Sequence, residues 1–445
     1  MKLIFVFLLF YINSIFAQKE TFYADLIDSG LIKKHVEMLA SDFFEGRETG
    51  EKGQKKTAQY VASQFRLFGL DSLSNQYSQP FSLFKKSKSG ILSFNGILLK
   101  FPEDFGFHGF YNDKRIEYTT IKAMNWEKFK QEKFNSMNPV IVTINSYYDV
   151  DFELVKSKGI QAVFFICKNY NPTFFTKYTE GQLTFLNKNK QHIFFINRKK
   201  LQGKQKREVN SITIEIEPLE EVTTENIIAY IEGSDSILKN EFAVISAHYD
   251  HLGVKNGVVY NGADDNASGT AALIELAHIF QEAKKRGENP KRSILFICFT
   301  AEEEGLLGSE YYTLNPLVPL QKTISNFNID MIGRKNPRNE RDQFSVYIIG
   351  SNRISMDFHH KQAEIAKKYS SLKLDYIYND PNNKEKLYYR SDHYNFAKYG
   401  IPSIFYFGGF HEDYHKPTDD IEKLNFTKIK EIAKLVFYTA WVFAN

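Results

Sequence analysis

From Asn226 onward, short apolar runs alternate with longer segments of helical spacing. The runs Ile227–Ile231, Phe242–Ala247, Ser293–Thr300, Ser325–Ile329, Phe344–Ile349 and Pro402–Phe407 read as strands. The intervals from about Ser268 to Lys285, Gly305 to Thr313, Ile354 to Tyr369, His393 to Lys398 and Phe426 to Phe443 read as helices. Near-continuous apolar strands have no face to show to water, so both faces must be covered. That restricts the region to an α/β fold, a mostly parallel mixed sheet with helices on both faces. Sheets of this kind bind ligands at the carboxyl ends of their strands. The polar residues of this chain fall there.

Phe242–Ala247 leads into His248-Tyr-Asp250-His-Leu-Gly253. His248 and Asp250 are two apart and share a face at the strand's end. A carboxylate beside a His suits a metal ligand and the group that fixes its tautomer. Asn261-Gly-Ala-Asp-Asp-Asn-Ala-Ser-Gly269 then sets Asp264 and Asp265 in a tight turn. Adjacent carboxylates repel unless a cation neutralises them. Further on, Phe296–Thr300 runs into Ala301-Glu-Glu-Glu-Gly305. Its carboxylates suit either a cation or a helix N-terminus, where the dipole welcomes them. Asp330 ends another apolar run, where an Asp by itself reads as a cap or turn residue. His415 lies in a turn before the last helix, and alone it reads as a solvated His.

The set carries more than its members. One His, one Asp, a Glu pair, a second Asp and a second His sit at the ends of strands of one sheet. A hydrolytic metal pair about 3.5–4 Å apart needs a bridging carboxylate and further protein ligands on each ion. His with Asp and Glu, and no Cys, suits zinc. One carboxylate must stay off the metals as general base.

These motifs resemble those of peptidase family M28, the di-zinc aminopeptidases. His248-Tyr-Asp250-His-Leu-Gly, Gly262-Ala-Asp-Asp265-Asn-Ala-Ser-Gly269, Ala301-Glu302-Glu303-Glu-Gly-Leu-Leu-Gly308, Asn328-Ile-Asp330-Met-Ile-Gly333 and Tyr414-His415-Lys-Pro-Thr-Asp match in order. The resemblance implies two Zn2+ per chain bridged by Asp265. His248 and Asp330 would complete one site, and Glu303 and His415 the other. Glu302 would be the base, Asp250 the orienter of His248, and Asp265–Asn266 a cis bond. Tyr414, beside His415, is a candidate oxyanion donor, with packing as its plain alternative. Asp392, in Arg390-Ser-Asp-His393, reads as a helix N-cap first and a substrate contact second.

The implied function is an exported metalloaminopeptidase, a zinc-dependent hydrolase that removes N-terminal residues from peptide substrates. The alternatives are a mono-zinc enzyme like glutaminyl-peptide cyclotransferase, a carboxypeptidase of the same family, or a non-catalytic relative. A carboxypeptidase needs a cationic pocket, and Arg334, Arg338 and Arg390 are its candidates. Side-chain preference would lie with the loops Arg334–Gln343 and Asn379–Arg390.

Residues 1–17 have a basic start, a short apolar core and a small residue at Ala17, as in a secretory signal peptide. The apolar run is too short to span a bilayer comfortably. The expected location is periplasmic or extracellular, without stable membrane insertion. The catalytic domain is expected to comprise residues 18–81 and 219–445. Asp25–Leu39 and Lys52–Phe68 show helical spacing, with Gly69 as C-cap. His35–Asp42 and Glu45-Gly-Arg-Glu-Thr-Gly50 resemble the family's N-terminal region.

Residues 82–218 read as a smaller β-rich insert. Pro139–Ile144, Ala162–Cys167 and His192–Asn197 are strand-like, and Phe152–Lys158 helical. The insert resembles a protease-associated (PA) domain. Its basic run Arg198–Arg207 reads as a solvated face. With 57 basic and 53 acidic residues, the net charge of +4 does not point to nucleic acid. Cys167 and Cys298 lack metal-ligand spacing and sit in apolar runs, as buried free thiols do. Asn266-Ala-Ser268 matches a glycosylation sequon but is discounted inside a metal turn.

Overall fold

A computed structural model of the chain describes residues 19–85, 90–108, 115–134, 138–177, 183–185, 191–201, 208–216, 220–335 and 344–445. Residues 1–17 of the expected leader, residues 202–207 of the basic run, and Arg338 lie outside them. The chain divides into two compact units, one of Met1–Phe81 with Thr224–Asn445 and one of Ser82–Thr223.

The strands of the first unit's sheet are β1 (Ser78–Lys85), β2 (Glu220–Ile231), β3 (Phe242–His248), β4 (Ser293–Phe299), β5 (Thr323–Asp330), β6 (Ser345–Ile349), β7 (Lys373–Asp375) and β8 (Ser403–Phe407). Their order across the sheet is β7-β6-β8-β5-β3-β4-β2-β1. The central strands β8, β5, β3 and β4 run parallel. β2 pairs antiparallel with β4, and β6 antiparallel with β8. The sheet is therefore mixed, and its parallel heart is the part buried on both faces.

Alternation along each central strand divides the core. Ala243, Ile245, Phe296, Cys298, Phe327 and Ile329 pack with the helices Gly269–Lys285 and Phe426–Ala444. Val244, Leu295, Ile297 and Phe299 take the other face, with Tyr312 of Leu307–Leu314 and Phe396 of His393–Ala397. All of β4 is buried. A fully buried Ile or Phe stabilises by about 1.5–3 kcal/mol, so these side chains set which strands are central.

The segment Asp25–Leu39 is not one helix. Asp28 accepts the Gly30 N–H at 2.7 Å and caps Ser29–Leu39, which follows the separate helix Lys19–Asp25. The short side chain offers the backbone an alternative bond, and the helix restarts there. Gly69 caps Lys52–Phe68 at φ 84°. The helix expected from Gly305 begins instead at Leu307, because Leu306 is left-handed at φ 65°. The short strand β7 has no apolar run to announce it.

In the second unit, Val140–Ile144, Ala162–Cys167 and His192–Asn197 lie side by side in parallel. Arg115–Asn125 pairs parallel with the first of them, and Phe105–His108 antiparallel with the last. Phe164 stacks on Phe194 and Phe165 on Phe195, each at 5.2 Å, within a core of the unit's own. Arg198, Lys199 and Lys200 are exposed. Cys167 and Cys298 are buried free thiols, and burial pushes the Cys167 thiol up to about 12. Among the described residues, no helix is long and apolar enough to cross a membrane.

Candidate metal centre

Four neighbouring parallel strands deliver the polar residues to one edge of the sheet. β3 ends on His248 and β5 on Asp330. β4 leads through Thr300 and Ala301 to Glu302 and Glu303, and β8 leads to the turn carrying His415. Three non-glycine residues in this rim are left-handed: Ala301 at φ 54°, Met331 at φ 53° and His415 at φ 57°. Such backbone persists only where its surroundings hold it, and it gathers at functional sites.

The turn Ala263–Ser268, wholly buried, brings Asp265 into the row. It depends on Gly262, which is left-handed at φ 54°. A Cβ there would lie 2.2 Å from the Asp265 carbonyl oxygen and 2.4 Å from His251 Cδ2. The Asp265–Asn266 peptide is cis.

Asp265 offers one oxygen to each side. Its Oδ1 lies 3.4 Å from His248 Nε2, and its Oδ2 lies 3.1 Å from His415 Nε2. His248 Nε2 is also 3.3 Å from Asp330 Oδ1, and His415 Nε2 is 3.1 Å from Glu303 Oε2. The sequence-read residues His248, Asp265, Glu303, Asp330 and His415 thus converge, far apart as they are in the chain. Glu302 stands on the same wall, within 4.8 Å of donor atoms of His248 and Asp330. Its carboxylate has no hydrogen-bond partner among the described residues, whereas Glu303 has two imidazoles.

One of those imidazoles belongs to His251, which sequence reading passed over. Its Nδ1 is 2.8 Å from Glu303 Oε1 and 3.9 Å from Asp265 Oδ2. The ring is buried, and it holds the carboxylate that would otherwise swing. The available signal was a second His just past a His-x-Asp strand end.

Asp250 lies beside His248 Nδ1, with its backbone oxygen at 3.2 Å and its carboxylate at 3.7 Å. That carboxylate also accepts the N–H groups of Glu302 at 3.2 Å and Glu303 at 3.3 Å, and the Thr49 hydroxyl at 3.1 Å. It therefore ties the β3 end to the β4 end. Asp330 accepts the Ser391 hydroxyl at 2.7 Å, and Asp419 accepts the N–H groups of Asp264 and Asp265 at 3.0 and 3.1 Å.

Arg47 is the other residue missed as functional. It is 1% exposed, and donates to the carbonyls of Tyr249, Leu39, Asn261 and Gly262 at 2.6–2.9 Å. It knits the loop that follows His248 to the one that carries Asp265. Burial lowers its guanidinium to about 10, which leaves it charged at neutral pH.

The charges say what the arrangement lacks. Burial pushes the Glu302 and Asp330 carboxyls up, since charge is costly out of water. Burial works against the His415 cation, yet Asp265 and Glu303 raise it to about 10. His248 is likewise raised against burial by Glu302 and Asp330. Both imidazoles are thus favoured in their charged form by the carboxylates around them. A bound cation inverts that logic, because it takes the proton's place and uses the neutral ring as a ligand. Two groups, His248 with Glu302 and Asp330 and His251 with Asp265 and Glu303, each bring donor atoms within 4.8 Å of one another, a set of types that fits divalent cations.

Tyr414 stacks on His415 with ring centroids 3.8 Å apart, and burial raises its hydroxyl. It lines the cavity beside the centre, together with Met331, Leu387, Arg390, Phe405 and Phe407. Asp392 is fully buried and stands at the helix N-cap, but makes no capping hydrogen bond there. Arg334 is occupied by Asp413 at 2.8 Å.

Residues 226–440 match the sequence profile of peptidase family M28. An aminopeptidase of Bacillus subtilis strain 168, YwaD, is 28% identical over 264 residues, 56% of this chain and 51% of that protein. The chain spans about half the length of the curated relatives it matches. An aminopeptidase from Aneurinibacillus sp. strain AM-1 superposes with a TM-score of 0.53 at 18% identity, covering 94% of this chain and 95% of that one. A crystal structure of BSAP, a zinc aminopeptidase from Bacillus subtilis, gives a TM-score of 0.52 at 19% identity, covering 94% and 96%. At such identities the likeness to solved structures is one of fold.

Proposed function

With residues 226–440 the chain belongs to peptidase family M28, and from that premise we propose that it is a zinc aminopeptidase with two metals per chain. The observation that carries the reading is Asp265, whose two oxygens face His248 on one side and His415 on the other. His248, Asp265 and Asp330 would hold one Zn2+, and Asp265, Glu303 and His415 the second. His251 and Asp250 would keep Glu303 and His248 in register. When bound, the cations would acidify a water and polarise the peptide carbonyl.

The chain's residues do the rest. Glu302, raised by burial and without a hydrogen-bond partner among the described residues, takes the water's proton and returns it to the leaving amine. Tyr414, on the cavity wall, donates to the carbonyl oxygen as charge develops there. Phe405, Phe407 and Phe410 give the cavity an apolar wall, which lowers the local dielectric around these interactions. The insert is read as PA-like on its parallel strands, and the leader as an export signal, which supports action outside the cytoplasm.

Amino-acid p-nitroanilides test this directly. The purified chain is expected to release p-nitroaniline, to stop when a chelator strips the metal, and to recover with added Zn2+. Chelator-resistant turnover, or none under any metal supplement, would remove the reading. A Gln-peptide converted to a pyroglutamyl product without release of an amino acid would favour a cyclotransferase instead.

A further inference from the structure

Arg390 is the one guanidinium or ammonium group lining the cavity beside the metal centre, among the described residues. It comes from the turn after Leu387–Tyr389, and its guanidinium lies 5.0 Å from the centroid of the Phe410 ring. A guanidinium at that distance is attracted by the ring face, and its N–H fork suits a planar acceptor. No carboxylate among the described residues pairs with it, although Asp265, Glu302, Glu303 and Asp330 line the same cavity. Asp265, Glu303 and Asp330 are turned to the imidazoles. The surrounding wall of Met331, Leu387, Phe405, Phe407 and Phe410 is apolar. It offers Arg390 no acceptor, and the exposed guanidinium is open to an arriving anion.

We propose that Arg390 selects substrates with a carboxylate close to the scissile bond, either the side chain of an acidic first residue or the free C-terminus of a dipeptide. The inference rests on the aminopeptidase reading and extends it to specificity. Arg390 would be a specificity-determining residue, binding the carboxylate bidentately while the aromatic wall takes the substrate's apolar part.

Two substrate pairs separate the sources of the carboxylate. Glu-p-nitroanilide is compared with Leu-p-nitroanilide, and Leu-Gly with Leu-Gly-amide, in the wild type, Arg390→Gln and Arg390→Lys. In at least one pair the wild type should favour the carboxylate member. Arg390→Gln should lower that pair's kcat/KM ratio about tenfold, chiefly through KM. Arg390→Lys, which keeps the charge but not the fork, should fall between. A threefold fall supports the proposal and identifies which carboxylate is read. Ratios that change less than threefold in both pairs, with the Leu substrates still cleaved, would overturn it and leave the aminopeptidase reading standing. Failure of the wild type to cleave any of the four would sink both.

Discussion

Replacing Glu302 by glutamine is expected to lower kcat by about 10²–10⁴-fold, the range for removing a positioned general base. The substitution keeps the shape and removes the ability to accept a proton. Zinc content should stay at the wild-type value, because Asp330, Asp265, Glu303 and the imidazoles would hold the metals. The environment is suited to a base that must also act as an acid, since burial raises the Glu302 carboxyl. Glu303 differs in being held by His251 and His415. Parallel measurement of p-nitroanilide turnover and bound zinc separates the outcomes. Unchanged kcat would take Glu302 out of its role. Joint loss of zinc and turnover would make it a ligand.

The second large effect is expected at Arg47. Arg47→Met leaves the buried carbonyls of Leu39 and Tyr249 and the part-buried carbonyl of Asn261 without this donor, while Gly262 keeps the Ala267 N–H at 3.2 Å. Each buried unsatisfied acceptor costs about 1–3 kcal/mol. A total loss of about 4 kcal/mol or more is the expected result, read as a shift of the urea midpoint. Arg47→Lys should recover little of it, because one ammonium cannot reach acceptors spread around a planar fork. Metal affinity should fall along with stability, since the freed loops carry Asp265 and follow His248. A midpoint within about 1 kcal/mol of the wild type would show that the loops hold themselves.

The central architecture was legible because apolar strands speak in short unbroken runs. Ser293–Phe299 is buried at every position, and its hydropathy says so. Where polar residues bear the structure, the signal fades. Asp28 interrupts a helix that apolar spacing alone would continue. Gly90–Phe94, Ile97–Lys100 and Arg115–Asn125 belong to the insert's sheet, yet they are short or mixed in polarity and did not stand out as strands. Within the site, ligand types at strand ends could be picked out, since carboxylates and imidazoles gather there for few reasons. Arg47 could not, because its value lies in carbonyls supplied by distant loops. His251 was hidden by its own motif, one residue beyond the pair that drew attention. Asp392 shows the reverse, where a position next to a helix start looked like a cap and the side chain makes no such bond.

One measurement tests the centre itself. Crystals of the zinc-supplemented protein, with data collected on both sides of the zinc absorption edge, locate the metal without reference to activity. The expected map has two anomalous peaks per chain, one against His248, Asp265 and Asp330, the other against Asp265, Glu303 and His415. A single peak, or peaks on other side chains, would contradict the two-metal account.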